Sequence, residues 1–157
     1  MSDGNFSPRI QILHTPQTLA ISNNDAFGYN IIGECSANNV PFCVLLKPGD
    51  SYEKLIPFRE DYPIWLRDSI HPCMGFVLAL DQPHAGVSDE DGTLTIAGIP
   101  KGNWPFVIWH ERCGKIKKVD QAGVPIESAD GQFWFTIQAG QISRHEFAIE
   151  SESLRLQ

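Results

Sequence analysis

Nine short apolar or alternating runs recur along this chain: "RIQIL", "TLAIS", "FCVLLK", "YPIWL", "GFVLAL", "TLTIA", "WPFVIWH", "FWFTI" and "HEFAIE". Between them lie "NND", "KPGD", "DEDG", "IPKG" and "ADGQ". Such clusters end strands, because Gly reaches backbone conformations closed to other residues, Pro lacks a donor, and Asn and Asp bond their own backbone. The spacing predicts an all-β fold, a sandwich or a barrel. In "NWPFVIWHE", Trp104, Phe106 and Ile108 alternate with Pro105, Val107 and Trp109, which predicts a central strand covered on both faces. "DEDGTLTIAGIPKGNWPFVIWH" reads as a turn-strand-turn-strand unit, with Leu94 and Ile96 on one side. Only "DYPIWLRDSI" hints at a helical turn.

At 157 residues the expectation is one domain, with loosely held ends at about 1–8 and 151–157. Nineteen acidic against twelve basic side chains give a net charge of -7, which repels a phosphate backbone and argues against a nucleic-acid partner. No segment has the apolar length of a membrane span, and "MSDGNFSPRI" has neither the basic start nor the apolar centre of a signal peptide. Four cysteines match no zinc or haem spacing; free thiols stand against disulfides, with Cys35–Cys43 and Cys73–Cys113 the pairings to test.

The stretch "RDSIHPCMGF" places His71 three residues before Met74, an imidazole and a thioether that both suit copper. Asp68 and His71 can alternatively form a carboxylate–imidazole hydrogen bond that fixes the loop. Elsewhere His110 and Glu111, adjacent on a strand, point to opposite faces and do not converge on one substrate. The acidic run Asp89–Gly92 lacks the spaced oxygen ligands and distal Glu of a calcium loop. His84 falls in a turn, and His14 and His145 have no ligand-like neighbours. No G-x-S-x-G, phosphate-cradling loop or nucleophile–base pair occurs, so the chain is read as a non-enzyme.

Four segments in order, "NNDAFGYN", "DSIHPCM", "QPHAGVSDEDGTLTIAGIPKG" and "WHE", resemble a cupredoxin-like family. These are plastocyanin relatives, the methylamine-utilisation-like proteins of bacteria, abundant in planctomycetes. Its members show "N-x-D…H-N", "C-x-I-H-P-W-M", "H-P-Y-F-A-V-T-D-x-D-G-x-F-x-I-x-x-L-P-x-G" and "W-H-E". The resemblance implies a Greek-key β-sandwich and copper held by His, Cys, His and Met. Carried over by position, the first His falls at Tyr29, the Cys at Asp68, the second His at His71 and the Met at Met74. Two of the four ligands are replaced, and Cys73 stands where the family has Trp, close enough in sequence to be considered as a substitute thiolate.

The resemblance therefore implies a degenerate type 1 copper site on a retained scaffold. The expected function is a non-catalytic, extracytoplasmic binding or structural module without a cofactor, with a protein partner or a place in a larger assembly. One alternative is a copper-binding or electron-transfer protein with an altered ligand set around His71 and Met74, completed by Asp68, Tyr29 or Cys73. A further alternative is an accessory domain of the carboxypeptidase-regulatory-like or transthyretin-like kind, suggested by the unit that begins at Asp89. Strand order separates these readings, since a copper loop must join two strands at one end of the sandwich.

Overall fold

The computed structural model describes residues 1–149, and no helix occurs among them. The chain packs as two compact units, residues 1–97 and residue 98 onward, where length alone led to the expectation of one domain.

The first unit contains β1 (Ile10–His14), β2 (Gln17–Ser22), β3 (Tyr29–Glu34), β4 (Phe42–Leu46), β5 (Ser51–Ile56), β6 (Ile64–Asp68) and β7 (Met74–Leu80). Five of these form one sheet in the order β1-β7-β6-β3-β4, with β1 parallel to β7 and the other pairs antiparallel. β2 and β5 form a second, two-stranded sheet. The chain leaves β4, visits the other sheet at β5 and returns beside β3 as β6, a Greek-key return.

Period-two alternation explains why these sheets stack. In β3, Tyr29, Ile31 and Gly33 turn inward while Glu34 is exposed; in β2, Leu19 and Ile21 turn inward. With Leu46, Ile56, Ile64, Leu66, Val77 and Ala79 they form one core drawn from both sheets, which makes the unit a β-sandwich.

The second unit contains β8 (Gly102–Val107), β9 (Trp109–His110), β10 (Gly114–Lys115), β11 (Lys118–Gln121), β12 (Val124–Glu127) and β13 (Gln132–Ile137). They pair antiparallel as three ribbons, β8 with β13, β9 with β10, and β11 with β12. Ile116, Val119 and Phe133 form its core, with Ile108, Cys113, Ile126 and Phe135 against it.

Several strand expectations are corrected. "TLTIA" forms no strand, so the turn-strand-turn-strand unit that suggested an accessory domain is absent. "YPIWL" enters a strand rather than a helical turn, because Ile64 and Leu66 alternate into the core. "WPFVIWH" breaks at Ile108, and β8 is not central: it belongs to a two-stranded ribbon with Val107 50% exposed. Within the described part of "HEFAIE" there is a single bridge, from Asp120 to Ala148.

Residues 1–8, expected to be loose, are tied down. The Met1 amino group donates to Ser22 O at 2.6 Å, Asn24 N donates to Met1 O at 3.1 Å, and the Met1 side chain is buried in the core. The other expected loose end, 151–157, lies outside the described residues. All four cysteines are free thiols. Alternation keeps Cys35 and Cys43 apart: Cys43 points outward from β4 while Cys35 packs against the core.

Gly33 shows how closely the sheets fit. It lies opposite Phe42 in register, and a Cβ there would sit 2.2 Å from Phe42 Cε1. Gly33→Ala must displace a core ring and is expected to cost about 1–3 kcal/mol in urea denaturation of the full chain. Ile142→Ala, at a 94% exposed side chain, is expected to stay within about 0.5 kcal/mol of the parent.

Candidate functional site

The sequence candidates meet where β6 ends and the loop 69–73 leads into β7, its antiparallel neighbour. The first strand on the other side of β6 is β3, whose Ile31 pairs with Asp68, so Tyr29 and Asn30 lie beside the loop.

Asp68 is the centre of the site. Its Oδ1 accepts from Asn30 N at 2.7 Å, and its Oδ2 accepts from His71 N at 2.8 Å and lies 2.6 Å from His71 Nδ1. The Asp68 side chain is fully covered, whereas the His71 side chain is 35% exposed. Burial acts to raise the Asp68 pKa, but the hydrogen bonds from Asn30 and His71 outweigh it and hold the carboxyl below its ordinary value. The backbone closes the same loop: Ser69 N donates to Asn30 O, Asp68 N to Cys73 O, and Cys73 N to His71 O.

An aromatic cluster packs on the imidazole. Ring centroids of Tyr29 and Phe27 lie 5.3 Å and 4.9 Å from that of His71, and 5.1 Å from each other. Tyr29 is completely buried and its hydroxyl donates to the Asp25 carboxylate, which also accepts from Asp3 N at 2.8 Å and Gly4 N at 3.1 Å. Burial, reinforced by the Asp25 hydrogen bond and negative charge, pushes the Tyr29 hydroxyl well above its ordinary pKa, so it stays protonated. The Tyr29 hydrogen bond in turn is the main cause that lowers Asp25.

Asp68, His71 and Tyr29 are thus brought together. Cys73 is buried in the core, and its thiol is raised by that burial and then by the Asp68 charge. Met74 begins β7 on the face opposite Cys73, is 37% exposed, and offers its carbonyl to Arg9. Among the described residues, no three His, Cys, Asp or Glu side chains converge as a metal-binding group.

Outside the loop, His110 Nδ1, at the end of β9, accepts from Arg112 N, and Asp89 and Asp91 both accept from Thr93 N in the turn at Asp91–Gly92.

Asp25, Phe27 and Asn23 were missed as site residues. Asn23 is buried and bonds Phe27 O, Leu46 O and Asp25 N, which shapes the turn before β3. The available signal was "NNDAFGYN" itself, whose Asn-Asp-Gly content marks a structured turn next to a candidate ligand position.

No family model matches the chain, and no curated protein matches it. A solved structure similar to it is that of a novel purple cupredoxin from Nitrosopumilus maritimus, 22% identical, with a TM-score of 0.42 over 51% of this chain and 86% of that one.

Asp68→Asn keeps the shape but removes a carboxylate oxygen from one of its N–H donors. It is expected to lose about 1.5–3 kcal/mol at neutral pH in denaturant titrations. Because the folded-state pKa is depressed, that stability is present above about pH 4 and is lost as pH falls through the folded pKa. The gap between parent and variant should therefore narrow in acid.

Proposed function

We propose that the chain is a cupredoxin-like protein in which an Asp68–His71 clasp takes the place of type 1 copper. It serves as a non-catalytic extracytoplasmic binding or structural module, a subunit of a larger assembly. The carrying observation is the buried Asp68 carboxylate bonded to Asn30 N, His71 N and His71 Nδ1. These bonds cross-link the loop to β3, the mechanical task that a shared metal would otherwise perform.

The donor set supports this reading because it does not fit type 1 copper, which needs two imidazoles and a thiolate in a plane. Tyr29 offers a protonated hydroxyl already given to Asp25, and Asp68 is a hard oxygen donor with both oxygens engaged. The Cys73 thiol is pushed towards its neutral form, and Met74 faces away. The extracytoplasmic placement rests on the resemblance, whose members are generally exported. No helix is long and apolar enough to cross a membrane among the described residues.

One observation favours a second reading, copper binding through an altered ligand set. A buried carboxylate on one imidazole nitrogen is the outer-shell arrangement of many metal-bound histidines, and it orients His71 Nε2 away from Asp68. Anaerobic reconstitution with copper, with His71→Ala alongside, separates the two. The clasp predicts no stoichiometric copper in either protein. One equivalent that disappears in His71→Ala would overturn it in favour of the altered site, and an intense blue band would add a thiolate, pointing to Cys73.

A further inference from the structure

Residues 1–9 precede β1 and belong to neither sheet of the first unit, yet they hold the segments on both sides of the 69–73 loop. Asp3 and Gly4 form the tip of a tight turn, in which Ser2 and Asn5 exchange backbone bonds of 2.9 and 3.0 Å and the two central residues have φ of 52° and 77°. Asp-Gly favours that geometry, which leaves both central N–H groups without a partner inside the turn. Both find the same carboxylate: Asp3 N donates to Asp25 Oδ1 at 2.8 Å, and Gly4 N donates to Asp25 Oδ2 at 3.1 Å. Asp25 stands just before β3, and its Oδ2 also accepts from the Tyr29 hydroxyl, whose ring packs on His71.

The far end of the segment is fixed to the start of β7. Gly75 has no side chain, and Phe6 takes up that space: a Cβ on Gly75 would lie 2.9 Å from Phe6 Cγ. Arg9 Nη1 donates to Met74 O at 3.2 Å, and Phe76 N donates to Arg9 O at 2.9 Å. Between these anchors the segment covers a cavity of about 220 Å³ lined by Met1, Phe6, Leu19, Ile21, Leu66 and Val77. The clasp bonds of Asp68 run to Asn30, next to Tyr29, and to His71, three residues before Met74. Strap and clasp therefore both anchor in residues 25–30 and both bear on residues 71–75. Cross-links that share anchors are energetically coupled, because freeing one lets the anchors move and weakens the bonds of the other.

We propose that residues 1–9 are a strap whose closure is coupled to the 69–73 loop, so that release of the strap loosens the Asp68–His71 clasp and uncovers the cavity beneath. The coupling is reciprocal: whatever draws His71 away from Asp68 also frees the strap. None of the strap's bonds involves a metal, so this inference and the copper test of the clasp fail in different experiments.

The test is amide hydrogen exchange of the full chain, resolved by NMR, in the parent, Phe6→Ala, the milder Phe6→Leu, and Asp68→Asn. Phe6→Ala removes no hydrogen bond of the loop, yet it is expected to speed exchange by about tenfold or more at Gly4 and Asn5 in the strap and at Ser69, His71 and Cys73 in the loop. Phe6→Leu should move the same amides by less. Asp68→Asn, made in the loop, should speed Gly4 and Asn5 in return. Ala37 and Asn39, whose N–H groups bond Glu60 away from both segments, should keep the parent's rates in the Phe6 variants. Loop amides that keep the parent's rates while the strap opens would overturn the coupling. So would a strap that stays closed in Phe6→Ala or in Asp68→Asn, or Ala37 and Asn39 accelerating equally with the loop in both Phe6 variants.

Discussion

A carboxylate taken out of water must be matched by donors, and in the first unit that requirement organises the loops. Asp68 has no exposed side-chain surface, and it survives there as an anion because two backbone N–H groups and an imidazole converge on it. Glu60 repeats the arrangement beyond the other end of β3. Its carboxylate accepts from the Ser36 hydroxyl, from Ala37 N and Asn39 N at 3.1 and 2.8 Å, and from Asn39 Nδ2 at 2.9 Å. Burial works against its ionisation, and the hydrogen bonds from Ser36 and Asn39 overcome that, so its pKa is also lowered. Asp25 does the same for the first turn of the chain and for Tyr29.

These three carboxylates cross-link segments far apart in sequence: Asp68 to β3, Glu60 to the 36–39 loop, Asp25 to residues 3 and 4. No disulfide does this work, since all four cysteines are free. Each clamp depends on the negative charge of its carboxylate, which binds N–H groups more strongly than a neutral acceptor would. A loop held in this way keeps a fixed shape, and it leaves His71 partly exposed at the end of the sandwich, next to Phe27 and Tyr29.

The all-β class was legible because strand patterning is local: the period of the apolar residues and the positions of Gly, Pro, Asn and Asp suffice for β1, β2, β4, β7 and β13. β3 and β5 escaped notice because "YNIIGE" and "SYEKLI" mix a few buried residues with polar ones, and their inward faces become apparent only against a partner strand. "TLTIA" failed in the opposite direction. It has ideal alternation, yet Asp89 and Asp91 hold its first residue in a turn and no neighbour offers it a ladder.

By itself the sequence determined the residue types at Tyr29, Asp68, His71, Cys73 and Met74, and with them the available chemistry: one imidazole, one thioether, one thiol and two oxygen donors. The spacing Asp68-x-x-His71 also made their hydrogen bond foreseeable, since three residues is the reach of a tight turn. Tertiary structure decided the rest. Asp25 is four residues from Tyr29 but is made its partner by the buried turn at Asn23, and Asn30 reaches Asp68 only because β3 and β6 are neighbours. Facing and burial come from long-range strand pairing, which a local pattern does not contain.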